Sequence, residues 1–402
     1  MFFPVFVALY AWAHVFLWQV LASGLHLAVP ARLALGLVLP ILAVLPFGAR
    51  RLERRGYARL ARVSAWVGYT WSGLVLLFVL ARLTADCALA LWGLFTPQAP
   101  ALAGPSGALF LTAGLTIALA GYAFVERSRV RIEFINVPTA KDVGGSHVRV
   151  AQISDVHIGS MNGQRRVRRL AARLASCHPD LIVSTGDLID SRAGLAVPVT
   201  AVLASLKPPL GKFAVIGNHE CYAGLSPALA FMERAGFTVL RNAAVSLPGI
   251  NLAGMDDPAA EGGAQLAQRE PRVLRAIPPE TFTILLKHRP DLVPASQGRF
   301  DLQLSGHTHK GQIFPFGFLT RLYYPAHAGL FRLAQTSYLY VSRGTGAWGP
   351  PFRLFAPPEI TVFDIGPGRP DPGGQMLPRI LDAAYSASRE TASAAPVAQS
   401  SR

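Results

Sequence analysis

"VRVAQISDVHIG", Val148 to Gly159, sets the reading of the whole chain. Its first half is apolar and β-branched enough for a buried strand, and its second half opens with Asp155 and His157. A strand ending in Asp-x-His is a weak signal alone, because polar turns also serve solubility. The pattern repeats, however. "DLIVST" at 180–185 runs into "GDLID", "KFAVI" at 212–216 into "GNHE", "FTILL" at 282–286 into "KHRPD", and "DLQLS" at 301–305 into "GHTHKG". Each expected strand ends in a loop bearing Asp, Asn or His. Ligands of α/β folds collect beyond the carboxyl ends of strands, so these tips are expected to converge on one place. Solubility alone would be served as well by Lys and Glu.

The converging side chains are Asp155, His157, Asp187, Asn218, His288, His307 and His309. A single tetrahedral zinc takes four ligands. Seven candidates, with water completing the shells, suit two ions bridged by one carboxylate about 3.5–4 Å from each other. Mixed imidazole and oxygen donors fit Mn, Fe, Zn or Co better than calcium, which favours oxygen alone. His307 and His309 taken alone are as compatible with a surface turn as with a metal site; in this company they read as two ligands, one for each ion. Gly186, Gly217 and Gly306 stand beside the candidates, where glycine lets the backbone turn sharply.

D-x-H, G-D-x-x-D, G-N-H-E, a lone histidine and G-H-x-H, in this order from about Val148 to Asp364, resemble the calcineurin-like metallophosphoesterase family. "AGMDDP", "KHRPD" and "SRGTGAWGPPFRLFAPPEI" resemble its membrane-associated bacterial YaeI/YkuE-like branch. The resemblance implies an α/β domain of two facing mixed sheets flanked by helices, over 145–365. It implies a first ion on Asp155, His157, Asp187 and His309, and a second on Asp187, Asn218, His288 and His307. Asp187 is then the bridge, and His219 is a catalytic residue outside the ligand set that protonates the leaving oxygen or stabilises developing charge. Asp190 and Glu220 are expected either to orient ligands or to cap and solvate their loops. One departure is Lys310, where that branch usually carries a glycine.

The first third of the chain is different in kind. Hydrophobic residues make up 51% of the sequence and charged residues only 15%. The apolar residues concentrate in four runs, Phe2 to Leu25, Leu33 to Phe47, Ser64 to Leu80 and Gly107 to Val125. Each approaches the length of a spanning helix, although Pro40 and Pro46 are expected to kink the second. These runs define a region of about four transmembrane helices over 1–128. Arg50, Arg51, Arg54, Arg55, Arg59 and Arg62 cluster between the second and third runs, and Arg127, Arg129 and Arg131 follow the fourth. By the positive-inside rule both stretches face the cytoplasm. The expectation is a multi-pass protein of the inner membrane with a cytoplasmic catalytic domain. The formal charge of +15 therefore reads as topology, and no nucleic-acid partner is expected, because aromatic and basic residues do not interleave as in single-strand channels. The spans carry no run of buried charges, so they read as an anchor in preference to a transporter. Cys87, Cys177 and Cys221 have no paired spacing and read as reduced thiols. Residues 366–402, rich in Pro, Gly, Ser and Ala, read as a disordered tail apart from an apolar patch near Ile380.

The expected function is hydrolysis of a phosphoester or pyrophosphate by a membrane-anchored, dinuclear enzyme, with membrane lipids as neighbours and a lipid-linked phosphate, such as a UDP-sugar-lipid pyrophosphate, as one candidate substrate. The alternatives are a nuclease or nucleotide phosphodiesterase, and a catalytically silent membrane scaffold. His14, His26, His147, His178 and His327 have no motif context. Arg165, Arg166, Arg168, Arg169 and Arg173 form one basic helix face, read as solvated or as a contact for anionic headgroups. "IFPFGFLTRLYYPAHAGLF", Ile313 to Phe331, holds many aromatic rings. Pro315, Gly317 and Pro325 disfavour regular structure there, leaving two readings: rings packed in the core under a long loop, or an interfacial lip beside the site.

Overall fold

The computed structural model describes residues 2–95, 104–145, 147–195, 197–333, 337–367 and 379–380. The chain divides into two compact units, residues 1–128 with Gly349–Leu354, and residues 129–348 with 355–402. Most of the tail expected to be disordered lies outside the described residues.

The first unit is built on helices α1 (Phe2–Gly24), α2 (Val29–Arg54), α3 (Ala58–Phe95) and α4 (Pro105–Ser128). All four are long and apolar enough to cross a membrane. Pro40 and Pro46 lie inside α2, which continues through both. Each proline withdraws a helix donor from the carbonyl four residues back, Gly36 O and Leu42 O. Neighbouring helices are tied to α2 near Pro46: Tyr10 Oη donates to Ala43 O at 3.3 Å, and Ser64 Oγ to Leu45 O at 2.9 Å. Gly68 of α3 makes room: a β-carbon there would stand 2.6 Å from Pro46 N. The arginine cluster sits mostly on helix ends, with Arg51 and Arg54 in the last turn of α2 and Arg59 and Arg62 in the first turns of α3. His14 is a packing residue. Trp71 Nε1 donates to its Nε2 at 3.1 Å, so its proton is on Nδ1, 2.8 Å from Tyr10 O.

The second unit contains thirteen described strands: β1 (Arg131–Pro138), β2 (Val148–Ile153), β3 (Leu181–Thr185), β4 (Lys212–Val215), β5 (Thr238–Val239), β6 (Ala243–Leu247), β7 (Ile250–Gly254), β8 (Phe282–Leu286), β9 (Leu302–Ser305), β10 (Gly329–Arg332), β11 (Tyr338–Val341), β12 (Glu359–Gly366) and β13 (Arg379–Ile380). They form two mixed sheets, in the orders β1-β12-β2-β3-β4-β5 and β13-β10-β11-β9-β8-β7-β6. The five strands expected from sequence are β2, β3, β4, β8 and β9. The first three are parallel neighbours in one sheet and the last two are parallel neighbours in the other. The sheet begins before residue 145, because β1 pairs in parallel with β12 along its length.

Residues of the central strands alternate between two apolar layers, which buries both faces of β3, β4, β7, β8 and β9. Val150, Leu181, Val183 and Val215 meet Leu252, Ile284, Leu286, Leu302 and Leu304 between the sheets. Ala151, Ile153 and Ile182 face outward onto Val167, Leu170 and Leu174 of the helix Gln164–Ser176. Ala253, Leu285 and Leu339 face Leu266 and Leu274 of the helix Gly263–Arg275. The result is a helix–sheet–sheet–helix sandwich, and the carboxyl ends of β2, β3, β4, β8 and β9 share one edge of it.

Candidate metal centre

The seven candidate ligands all stand just beyond the carboxyl ends of those strands, five on loops, Asn218 at the start of the helix Asn218–Ala223 and His309 at the start of a 3-10 turn. Five of them, Asp155, His157, Asp187, His307 and His309, have φ between 50° and 72°. This left-handed conformation is costly for residues with a β-carbon and collects at functional sites. The loops brace one another. Asp155 N donates to Gly186 O and His157 N to Asp187 O, both at 3.0 Å, and Gly306 N donates to His288 O at 2.9 Å. Gln152 joins the two sheets just beneath, donating to Thr185 Oγ1 at 2.9 Å and to Ser305 O at 3.1 Å.

The three glycines act in two ways. Gly186 has φ of 92°, which is the sharp turn expected. Gly217 and Gly306 instead permit close approach. A β-carbon would stand 2.2 Å from Asp187 Oδ1 at Gly217, and 1.9 Å from Ser154 Oγ and 2.3 Å from Asp155 Oδ2 at Gly306. Lys310 has φ of 53°, a conformation that glycine adopts more cheaply than a residue with a β-carbon.

The donors, all buried but the half-buried His307, fall into groups able to hold a metal ion: Asp155, His157 and His309; Asp187, His288 and His307; and His157, Asp187 and His219. In the first, His157 Nε2 lies 3.1 Å from His309 Nε2, and His309 Nε2 lies 3.4 Å from Asp155 Oδ1. In the second, His288 Nε2 is 3.1 Å from His307 Nδ1, 3.2 Å from Asn218 Oδ1 and 3.3 Å from Asp187 Oδ2. Asp187 also approaches the first group, with Oδ2 3.8 Å from His157 Nε2, so it stands between the two.

These contacts test whether cations fit. His288 Nδ1 lies 2.8 Å from Thr185 O and donates to it, because a carbonyl can only accept. In the neutral ring, Nε2 then carries a lone pair. It faces the Asn218 and Asp187 oxygens and a nitrogen of His307. So many lone pairs at one buried point demand a positive charge, and the donor set fits a divalent ion. Protonation answers the same demand. Burial alone would lower the pKa of His288, but Asp187 above all, with Asp155 and Asp257, pushes it up to about 10. His307 goes the other way: burial, followed by the neighbouring His288 and Arg289 charges, holds it well below the usual histidine range. Burial opposes ionisation of Asp187, yet His288 and His219 hold its carboxyl well below the carboxylate range.

His219, Asp190 and Glu220 surround the ligands. Glu220 is fully buried, and its carboxylate accepts from Asp187 N at 2.9 Å, Gly217 N at 2.7 Å and Ile189 N at 3.0 Å. It therefore fixes the backbone that carries Asp187 and Asn218. His219 N donates to Asp187 Oδ1 at 2.9 Å. Its Nδ1 lies 2.9 Å from Asp190 O and 3.2 Å from Asp190 Oδ1, which leaves Nε2 as the working atom. Asp190 Oδ1 is also 3.4 Å from His157 Nδ1. One carboxylate thus orients a candidate ligand and its neighbour. Burial would lower the pKa of His219, but Asp187 and Asp190 push it up to about 9. Both acids therefore act on the site, and neither is merely a solvated loop residue.

Sequence reasoning passed over other residues here. Asn162 is buried and donates to His157 O at 3.0 Å and Ala347 O at 2.8 Å, and nothing in its local sequence marks it. Tyr222 and Trp348 flank His219 at ring distances of 5.4 and 6.0 Å, and Tyr324 flanks His307 at 5.6 Å. His147, His178 and His327 supply no donor to the groups above. Val167, Leu170, Leu174 and Cys177 are buried as their spacing predicted, and Arg165, Arg168, Arg169 and Arg173 are exposed. Among the described residues all three cysteines are free.

Residues 148–311 match the model of the family described as calcineurin-like phosphoesterase. An uncharacterized metallophosphoesterase of Aquifex aeolicus (strain VF5) is 37% identical over 257 residues, which cover 62% of this chain and 97% of its own. The chain belongs to the calcineurin-like phosphoesterases. Members are metal-dependent hydrolases acting on phosphoester bonds, in keeping with the clustered donors. This phosphoesterase is also similar to the Bacillus subtilis (strain 168) uncharacterized metallophosphoesterase YkuE, at 34% identity over 54% of this chain and 78% of the relative. It is 35% identical to a Bos taurus transmembrane protein with metallophosphoesterase domain, over 53% of this chain and 52% of that protein. The chain thus spans about half the length of the bovine protein.

Proposed function

We propose that this phosphoesterase is a membrane-anchored, dinuclear hydrolase that cleaves a phosphoester or pyrophosphate of a lipid-linked substrate. The carrying observation is the convergence of buried lone pairs from His157 with His309 and from His288 with His307 and Asn218, on either side of Asp187. Asp155, His157, Asp187 and His309 would hold one ion, and Asp187, Asn218, His288 and His307 the other. Divalent ions bound there would polarise the phosphoryl oxygens and acidify water.

The chain supplies the rest. Glu220 and Asn162 lock the loops, so the ligands need little reorganisation. His219, whose pKa Asp187 and Asp190 raise, would give its Nε2 proton to the departing oxygen as the P–O bond breaks. Asp190 holds the opposite nitrogen and stabilises the charged ring before transfer. Water supplies the new oxygen on phosphorus, so the products are an alcohol or phosphate and a phosphorylated fragment. The helices α1 to α4, read with the arginines at the α2–α3 turn and after α4, support a multi-pass protein of the inner membrane with this site on the cytoplasmic side. A site tethered beside a bilayer meets amphiphiles at high local concentration.

The test is a screen of purified, metal-reconstituted full-length protein against generic phosphodiesters, phosphomonoesters and lipid pyrophosphates. Turnover that needs added Mn, Fe, Zn or Co is expected. Absence of hydrolysis with two ions bound would favour a silent scaffold.

A further inference from the structure

The segment after the metal turn is regular where its sequence disfavoured regularity. Phe316–Tyr323 is a helix, and none of its residues is buried. Phe314, Phe316, Phe318, Leu319, Leu322 and Tyr323 are all exposed, Leu322 at 82%. Of the two readings of these rings, the surface one holds for all of them except Tyr324 and Phe331, which are buried.

This exposed helix is fixed to the catalytic edge at both ends. At its start, Gly311 packs so closely that a β-carbon would stand 2.3 Å from Gly317 N, and Phe316 N donates to Ile313 O at 2.9 Å. At its end, the Tyr323 ring lies 4.8 Å from Tyr324, and Tyr324 lies 5.6 Å from His307. Gln312, just before it, exchanges two hydrogen bonds with the Trp348 backbone, at 2.7 and 2.9 Å. The Trp348 ring is half-exposed and 6.0 Å from His219. Phe314 touches Phe318 at 5.8 Å and Phe355, also exposed, at 5.9 Å. An aromatic rim thus runs from the proposed proton donor past the metal turn.

Exposed apolar side chains gathered in one patch mark an interaction surface. Aromatic rings interleaved with a cation favour the headgroup level of a bilayer, and Arg321 is exposed among them. The same chain carries four helices apolar enough to cross a membrane. Only Arg129 and Val130 separate the last of them from β1, and the residue after Trp348 begins Gly349–Leu354, which belongs to the helical unit.

We propose that Phe316–Tyr323, with Phe314, Trp348 and Phe355, is a lip that enters the bilayer interface and passes a lipid's headgroup phosphate to the metal turn while its acyl chains stay in the membrane. This deepens the phosphohydrolase reading and rests on it for the chemistry; insertion of the lip does not depend on turnover.

The experiment uses the full chain in nanodiscs of phosphatidylcholine and phosphatidylglycerol. Leu322→Cys, with Cys87, Cys177 and Cys221 replaced by Ala, carries an environment-sensitive fluorophore, and the discs contain spin-labelled lipid. Quenching at 322 is expected, and none at an Arg234→Cys control, an exposed position beside the start of β5 and so at the opposite ends of the strands. No quenching at 322 overturns the proposal, whatever the activity. In a second arm, Phe316→Ser with Phe318→Ser keeps turnover of bis(p-nitrophenyl) phosphate but loses about tenfold or more on CDP-diacylglycerol in the disc, the loss expected for about 1.4 kcal/mol of interfacial contact. Phe316→Leu with Phe318→Leu restores it. Equal loss on both substrates with a lower melting temperature places the rings in the core and overturns the lip. Wild-type turnover of the soluble ester without any on the lipid overturns delivery. A metal-loaded wild type inactive on both sinks the enzymatic reading and with it delivery, while quenching still decides whether the helix enters the membrane.

Discussion

Asp190→Asn separates charge from shape at this site. The amide is isosteric, and the backbone oxygen of Asp190 keeps its 2.9 Å bond to His219 Nδ1. Only the negative charge is lost, 3.2 Å from His219 Nδ1 and 3.4 Å from His157 Nδ1. At an effective dielectric of about 20, a unit pair at that separation is worth about 5 kcal/mol. The Asp190 side chain is 28% exposed, so solvent screening reduces the effect to the order of 1–2 kcal/mol. The sign follows from the direction of the shift. His219 is held up to about 9 in part by Asp190; without that charge its acid form is lost at lower pH. The basic limb of the pH–rate profile should move down by about one pH unit. Turnover on the plateau should fall by about 10–100-fold, because His157 also loses its orienting partner. The assay is hydrolysis of bis(p-nitrophenyl) phosphate across pH by full-length, manganese-loaded protein, with metal counted by mass spectrometry. An unmoved basic limb with unchanged turnover would refute Asp190 as the positioning residue. Loss of metal with an unmoved limb would make it a ligand instead.

Other outcomes follow from the same geometry. Asp187→Asn should abolish hydrolysis and lower metal content, since its carboxylate lies between both donor groups; full activity with two ions bound would sink that role. His219→Ala should keep its metals and lose about 10²–10⁴-fold in turnover, the range for general acid catalysis; metal stoichiometry measured beside turnover decides this, and lost metal would make His219 a ligand. Reporter fusions at Lys141 and at the C-terminus should both report the cytoplasm, and an external signal from either would mean the span count is wrong by one.

The sequence alone determined the strands and their polar tips. A strand buried on both faces must be an apolar run, and a ligand must be a donor-bearing residue where that run stops, so both are local and legible. The helix Gln164–Ser176 was legible for the same reason: Val167, Leu170, Leu174 and Cys177 recur at its period and are buried. The four apolar helices were read from length and hydropathy, and α2 runs on through Pro40 and Pro46.

What the tertiary structure decided is what depends on partners distant in sequence. The five strands belong to two sheets, and only their facing arrangement puts Asp187 between His157 and His288. Gly217 and Gly306 are needed because another loop approaches each, which no local pattern records. The roles of Asp190 and Glu220 were ambiguous in sequence, because a carboxylate in a loop gains its function from the groups it meets. The segment Ile313–Phe331 shows the limit most directly. Its composition fits a core or a surface equally, since a ring is apolar in either place. Its exposure follows from how Gly311 and Tyr324 fix the short helix to the metal edge, and that is a property of the folded chain.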